Sequence, residues 1–367
     1  MKRIFIFLIA AALTVSATAA NLTPKNAVYS YKEASELTLV GKLMPGMTEN
    51  PYHRIDTTRY KGFTKKENLQ VRMTSGMGCV FKTNSTSIRI LTDFAYASKG
   101  SNTNLYSAQG YDLYILQDGK WLWAASGVHN TKHPEKPLTI IRNMDGSEHT
   151  CLLYFPLYSS VNSIQIGVEE DASLKKVPNP FRHRIAIFGS SYTHGSSTSR
   201  PGMAYPAQFS RHTGLQMLSL GCSGNSKLQS YFCTALCDVD ADAFVFDAFS
   251  NPSAKQIRER LMPFIDRLVE AHPGKPLIFQ QTIYREARNF NTAIEEKERD
   301  RAETAREMMD ALKGNPKYKD VYYIIPSTGD SHENTVDGTH PDNHGYTLWA
   351  ESIEPQILEI LAKYGIK

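Results

Sequence analysis

Ile185-Ala186-Ile187-Phe188-Gly189-Ser190-Ser191-Tyr192-Thr193-His194-Gly195 is the stretch on which the fold turns. Four apolar residues in a row, without polar alternation, suit a strand covered on both faces. Gly189 and the hydroxyl-rich residues after it end the strand, and the glycines at both ends allow a tight turn that presents a hydroxyl. The same rhythm continues downstream. Apolar runs at 216–220, 243–248, 277–281 and 321–325 read as strands, and helical patterns cover 205–213, 227–236, 253–271, 293–312 and 346–363. Five βα units predict an α/β domain with a parallel five-stranded sheet covered on both faces. In such sheets, functional groups collect at the carboxyl ends of the strands.

Upstream the rhythm differs. Residues 37–43, 70–73, 78–82, 87–92, 111–117, 121–125, 150–155 and 163–167 are short runs rich in β-branched and aromatic residues, separated by turn residues. Asp118-Gly119 between two of them is a two-residue hairpin signal. No helical periodicity of useful length interrupts this half, so it predicts an antiparallel β-sandwich or jelly roll. Composition changes across 175–183, where Pro178 and Pro180 fall, giving expected domains at 21–177 and 178–367.

The chain has 367 residues, enough for two cores. Residues 1–20 stand apart: Lys2-Arg3, an apolar run over 4–15, then Ala17-Thr18-Ala19. That pattern predicts a secretory signal cleaved near Ala19 or Ala20 and a periplasmic or secreted mature protein. An uncleaved anchor is the alternative, although the run is short for a span. Lys and Arg total 41 against 37 Asp and Glu, and losing Lys2 and Arg3 narrows that margin by two. Such a balance gives no reason to expect nucleic acid or an acidic membrane surface as partner. Cys79, Cys151, Cys222, Cys233 and Cys237 are too sparse for a disulfide scaffold and are expected to be mostly buried free thiols.

Two further segments carry chemistry. Asp337-Gly338-Thr339-His340 lets one loop bring a carboxylate to the imidazole it would orient, while that imidazole faces a hydroxyl elsewhere. A surface loop with a capping Asp is the plain alternative, and Asp342 can cap the last helix without conflict. Asp330, His332 and His344 lie nearby, but Pro341 interrupts the register that a two-histidine helical metal site needs. No pattern asks for a metal or a cofactor. Gly224, in Ser223-Gly224-Asn225, and Asn251, before Pro252, could offer an N–H and an amide to an oxyanion. Taken singly, each is as readily a turn residue. The chain has neither a phosphate loop nor a Gly-x-Ser-x-Gly elbow.

In order and position these segments resemble the SGNH (GDSL-type) hydrolase family over residues 182–367. Gly189-Ser190-Ser191-x-Thr193-x-Gly195 matches its first block, with Ser190 where Asp is usual. The third block, usually Gly-x-Asn-Asp, reads Phe249-Ser250-Asn251-Pro252 here. Ser199-Arg200-Pro201-Gly202-Met203-Ala204-Tyr205-Pro206 resembles a subgroup whose N-terminal β-domain carries Gly-x-Asp-Leu-Tyr, here Gly110-Tyr111-Asp112-Leu113-Tyr114. The resemblance implies a three-layer, flavodoxin-like domain, Ser191 as nucleophile, and Asp337 and His340 as its partners. It also implies an oxyanion hole of Ser191, Gly224 and Asn251.

The expected activity is a serine esterase acting on O-acyl groups, with O-acetyl on carbohydrate as the leading substrate. A lipid-directed esterase or an acyltransferase of the same fold is the alternative, and a non-catalytic glycan-binding protein the third. Arg200, His194 and Tyr205 fall beside the blocks and are expected near the pocket. The expected partner is an acylated small molecule or polysaccharide.

Overall fold

The computed structural model describes residues 22–98, 100 and 102–367. The signal expected over 1–20 lies outside them. Among the described residues of the N-terminal half, ten strands make two antiparallel sheets. They are β1 (Tyr29–Glu33), β2 (Thr38–Val40), β3 (Gly78–Thr83), β4 (Ile88–Ala97), β5 (Tyr111–Gln117), β6 (Lys120–Gly127), β7 (Leu138–Ile141), β8 (His149–Tyr154), β9 (Ser159–Glu169) and β10 (Leu174–Lys176). One sheet runs β1-β9-β4-β7; the other runs β10-β3-β8-β5-β6, with β2 beside β3. Strand period decides what lies between them. Cys79, Phe81, Leu113 and Leu153 point inward to meet Ile88, Ile90, Ile164 and Ile166 of the facing sheet. Val80, Tyr114, Leu152 and Tyr154 point the other way, onto Phe181 and Ala207 of the C-terminal half. The central strands of the second sheet are therefore buried on both faces, which is how the two halves are joined.

Asp118 and Gly119 connect β5 to β6 with φ of 50° and 76°, the paired positive values of a tight hairpin turn. Residues 70–73 are not a strand. They lie at the end of α1 (Lys65–Gln70) and in the turn after it. Thr64 and Glu67 form a capping box that starts this helix, a local signal outweighing the β-like character of Val71. A second short helix, α2 (Leu105–Gln109), starts from the Asn104 side chain. Neither is long enough to show a period.

The C-terminal half holds β11 (Arg182–Gly189), β12 (Leu215–Gly221), β13 (Ala243–Asp247), β14 (Leu277–Gln280) and β15 (Val321–Ile324), all parallel, in the order β12-β11-β13-β14-β15. Its helices are α3 (Ser191–His194), α4 (Tyr205–Thr213), α5 (Ser230–Cys237), α6 (Ala254–Ala271), α7 (Thr292–Asp310) and α8 (Asn343–Ala362). Ala186, Phe188, Phe244, Phe246 and Phe279 pack on one face against Phe232, Leu261 and Met309. Ile185, Ile187, Val245 and Ile278 pack on the other against Phe209, Tyr346, Trp349 and Ile353. Both faces are covered, hence the continuous apolar strands. Helix α5 begins three residues later than its apolar pattern suggests, because Leu228 takes a left-handed φ of 57° and Gln229 becomes the cap. All five cysteines are free, four of them buried.

Polar ties also cross between the halves, and two of them are built on buried charges. The marks Asp112 and Arg200 meet: Arg200 Nη1 donates to Asp112 Oδ2 (2.6 Å) and to Tyr114 Oη (2.6 Å). Gly202 N and Trp123 Nε1 donate to the same carboxylate at 2.8 and 3.0 Å. Arg54, fully buried, donates to the carbonyls of Gln70, Ser219 and Gly221 at 2.5, 3.2 and 3.1 Å. Arg54→Ala strands those carbonyls and opens a void, and should cost about 3–5 kcal/mol. Urea unfolding reads this as a lower midpoint; an unchanged midpoint would refute the tie.

Candidate active site

Strand β11 ends at Gly189, where an added Cβ would lie 2.0 Å from Thr193 Oγ1 and 2.9 Å from the Asp247 side chain. Only glycine lets the chain turn so closely. Ser190 then caps α3, its Oγ accepting from Tyr192 N at 3.1 Å, and Ser191 is the first helical residue. Asp247, at the end of β13 and 1% exposed, holds this turn from below. Its Oδ2 accepts from Ser190 N (3.0 Å), Ser190 Oγ (2.7 Å) and Thr193 Oγ1 (2.9 Å), while Oδ1 accepts from Ser250 Oγ (2.7 Å). One buried carboxylate thus ties the turn of Ser191 to the loop of Asn251.

The opposite side comes from the loop before α8. Asp337 Oδ1 accepts the N–H groups of Thr339 (3.0 Å) and His340 (2.8 Å), and Oδ2 lies 2.8 Å from His340 Nδ1. His340 Nε2 lies 2.9 Å from Ser191 Oγ. The carboxylate fixes the proton on Nδ1, so Nε2 is the nitrogen that accepts from the hydroxyl. Partial burial pushes the Asp337 carboxyl up, but the His340 N–H, the imidazole and Asn102 outweigh it and hold it at about 2. Asp342 caps α8 through Gly345 N at 2.8 Å, fixing the far end of the loop. Ser191, Asp337 and His340 are therefore brought together in space.

Gly224 and Asn251 line the same cleft as Ser191. As first residue of a helix, Ser191 has an N–H without an intrahelical acceptor. Gly224 takes a left-handed φ of 73°, open to glycine without strain. Ser226 Oγ donates to Asn251 Oδ1 at 3.4 Å, which leaves Nδ2 as the donor end.

The cleft measures about 500 Å³ and is lined from both halves. The N-terminal half supplies Gln70, Met73, Tyr96, Asn102, Thr103 and Tyr158. Sequence reading missed these, because no local pattern marks residues that reach a site only through packing between two folded halves. Arg285 was also missed. Its Nε donates to Tyr192 Oη (2.7 Å), Nη2 to Ser250 O (2.5 Å) and Nη1 to Glu298 Oε1 (3.0 Å), tying Ser191's neighbour to Asn251's. Arg200, His194 and Tyr205 do not line the cleft. Arg200 belongs to the tie with Asp112. Tyr205 stacks on Trp349 in the core at 4.6 Å. His194 is fully buried, stacked on Tyr158 at 4.0 Å, and burial followed by the nearby Arg54 pushes its imidazole well below the ordinary value. It is a neutral structural residue.

A protein from Bacteroides ovatus described as a GDSL-like lipase is 37% identical to this chain, covering 91% of it and 98% of its own length, with a TM-score of 0.85. This chain belongs to the SGNH (GDSL-type) hydrolase family. The profile of the GDSL-like Lipase/Acylhydrolase family matches residues 182–358, and that of the GxDLY N-terminus of SGNH-type esterases matches 29–174. More distant solved structures share the fold. A salicylyl-acyltransferase from a tetracycline biosynthetic pathway is 18% identical, covering 92% of this chain and 99% of its own, with a TM-score of 0.70. An acetyl xylan esterase from Butyrivibrio proteoclasticus is 12% identical, covering 91% and 99%, with a TM-score of 0.54. Among curated proteins, none matches this sequence.

Proposed function

We propose that this hydrolase is a secreted serine esterase that removes O-acetyl groups from carbohydrate. The observation that carries the reading is the relay from Ser191 Oγ through His340 to Asp337, at 2.9 and 2.8 Å, on the wall of an open cleft. Ser191 Oγ bonds to the ester carbonyl carbon while its proton passes to His340 Nε2. Asp337 steadies the imidazolium, and the N–H groups of Ser191 and Gly224 with Asn251 Nδ2 face the oxyanion. Collapse breaks the bond to the sugar oxygen, which leaves with the proton from Nε2. Water then attacks the acyl-serine and gives its proton to Nε2. The acid departs and Ser191 recovers its hydrogen.

The cleft lining supports an alcohol-rich substrate. Asn102, Thr103 and Thr339 bring amide and hydroxyl groups, and Ser196, Ser223 and Tyr158 add hydroxyls bonded to one another, beside the aliphatic Leu69 and Met73. An acetyl group asks for little apolar wall, which Leu69, Met73 and Tyr96 supply. An acetyl xylan esterase among the structural neighbours is in keeping with this. Secretion rests on Lys2-Arg3, the apolar run after it and Ala17-Thr18-Ala19. Acetate should be released from acetylated polysaccharides, and p-nitrophenyl esters should be cleaved fastest at the two-carbon acyl length. An optimum at long chains would move the substrate to lipid. Acyl transfer to an added sugar in preference to water would make the protein an acyltransferase.

The carboxylate from β13 yields a further expectation. Asp247→Ser should lower kcat about 10²-fold by loosening the nucleophile turn. Adding Ser190→Asp to it returns a carboxylate to the same contact and should recover much of the loss. A double variant no faster than Asp247→Ser would show that a carboxylate at position 190 cannot stand in for the one on β13.

A further inference from the structure

Two side chains from the N-terminal domain reach the machinery itself as well as the cleft wall. Gln70, at the end of α1 and 4% exposed, brackets Gly224: its Nε2 donates to Ser223 O at 2.9 Å and its Oε1 accepts from Asn225 Nδ2 at 2.7 Å. The residues immediately before and after the glycine are thus held by one amide from the other domain. The Gln70 carbonyl is itself held by buried Arg54, which also grips Ser219 O and Gly221 O of the strand leading into that loop. A chain reversal at a positive φ has no helix or sheet of its own to fix the direction of its N–H. Here the turn closes with one backbone bond, Asn225 N to Cys222 O at 2.9 Å, and the Gln70 amide adds two more contacts from a different domain.

The second contact acts on the triad. Asn102 Nδ2 donates to Asp337 Oδ2 at 3.2 Å and lies 3.2 Å from His340 Nδ1. The Asn102 carbonyl accepts from Ser197 Oγ at 2.7 Å, and neighbouring Asn104 Nδ2 donates to Thr198 O at 3.4 Å. The Asn102 loop is therefore moored to the segment that follows the nucleophile helix. Its amide meets the one carboxylate oxygen that also holds the imidazole.

Building on the esterase reading, we propose that the N-terminal β domain is a working half of the catalytic site. Gln70 and Asn102 are its positioning residues, the first aiming the Gly224 N–H at the oxyanion and the second holding Asp337 and His340 in line. A domain that served only to grip glycan would have no reason to contact these two loops. The two roles separate on p-nitrophenyl acetate, which has no sugar for a glycan-binding domain to hold.

Gln70→Met keeps the volume and removes both bonds around Gly224. Asn102→Ala removes the donor to Asp337. Each should lower kcat on p-nitrophenyl acetate about tenfold, the value of one or two partly exposed or charge-assisted hydrogen bonds, with KM changed less than about threefold. Asn102→Ser, which keeps a donor, should recover part of its loss. Gln70→Glu should be no faster than Gln70→Met, since it lacks the donor to Ser223 O and sets a negative charge beside the oxyanion. Binding of a methylboronic acid, which forms a tetrahedral adduct on the nucleophile, should weaken in step with kcat/KM. Full activity of Gln70→Met and Asn102→Ala on p-nitrophenyl acetate would overturn the inference, as would a loss confined to KM on acetylated polysaccharide. If either variant unfolds, seen as a lower melting midpoint, the other carries the test alone. Wild-type turnover that survives Ser191→Ala would instead defeat the esterase reading beneath it.

Discussion

Ser191→Ala should abolish ester hydrolysis, a fall of roughly 10⁴–10⁶ in kcat, whereas Asn251→Ala should stay measurable at about 10²–10³ below wild type. The two residues line one cleft, yet the bonds they would make differ in kind. In the proposed mechanism Ser191 Oγ is the atom that becomes covalently attached, and it is the hydroxyl that His340 Nε2 meets at 2.9 Å. Asn251 offers one donor among three, so its loss leaves two N–H groups facing the oxyanion. Removing the nucleophile changes the mechanism; removing a donor only raises its barrier. The measurement is kcat on p-nitrophenyl acetate together with labelling by a fluorophosphonate, which should attach to Ser191 in wild type and in Asn251→Ala but not in Ser191→Ala. Equal activity in the two variants would overturn the assignment of roles.

What the sequence disclosed follows from where the information sits. The parallel sheet was legible because both of its faces are buried, which leaves runs such as Ile185-Ala186-Ile187-Phe188 without polar alternation. Asp337 and His340 were legible because three residues of loop suffice to join them. Ser191 to His340 was inferred from block order, since the contact spans 149 positions. The helix at Lys65–Gln70 was not legible, as six residues show no period and only the Thr64–Glu67 box betrays it. Asp247 did leave a trace, a lone carboxylate within the apolar run 243–248, but its partners Ser190, Thr193 and Ser250 could not be assigned before β11 and β13 were known to pair. Gln70 and Asn102 left none. Their roles depend on how the two halves meet, and the sequence of each half alone is silent on that. Asp112 and Arg200 mark the family in sequence, and the structure gives them a physical task as a tie across the same boundary.

Asp337→Asn should lower kcat by about 10⁴ without unfolding the protein. The substitution is nearly isosteric. The side-chain oxygen can still accept from Thr339 N and His340 N, as Oδ1 does in the native loop, so the loop should keep its shape. The other oxygen becomes an NH₂ group facing His340 Nδ1. A donor there favours the tautomer protonated on Nε2, and Nε2 can then no longer accept from Ser191 Oγ. The nucleophile stays in place with no base to take its proton. The same substitution has a pH signature. Asp337 is held at about 2 in the folded protein, against an ordinary unfolded carboxyl of about 3.9. A carboxyl depressed by folding adds stability that is present above its unfolded value and lost as pH falls through its folded one. The stability gap between wild type and Asp337→Asn should therefore narrow from about pH 4 down to about pH 2, by a modest amount because the side chain is partly open to water. Urea midpoints at pH 5 and pH 2.5 read that gap, and kcat at neutral pH reads the tautomer. Activity within tenfold of wild type would mean that Asp337 does not set the proton on His340, and that the carboxylate is only a loop residue.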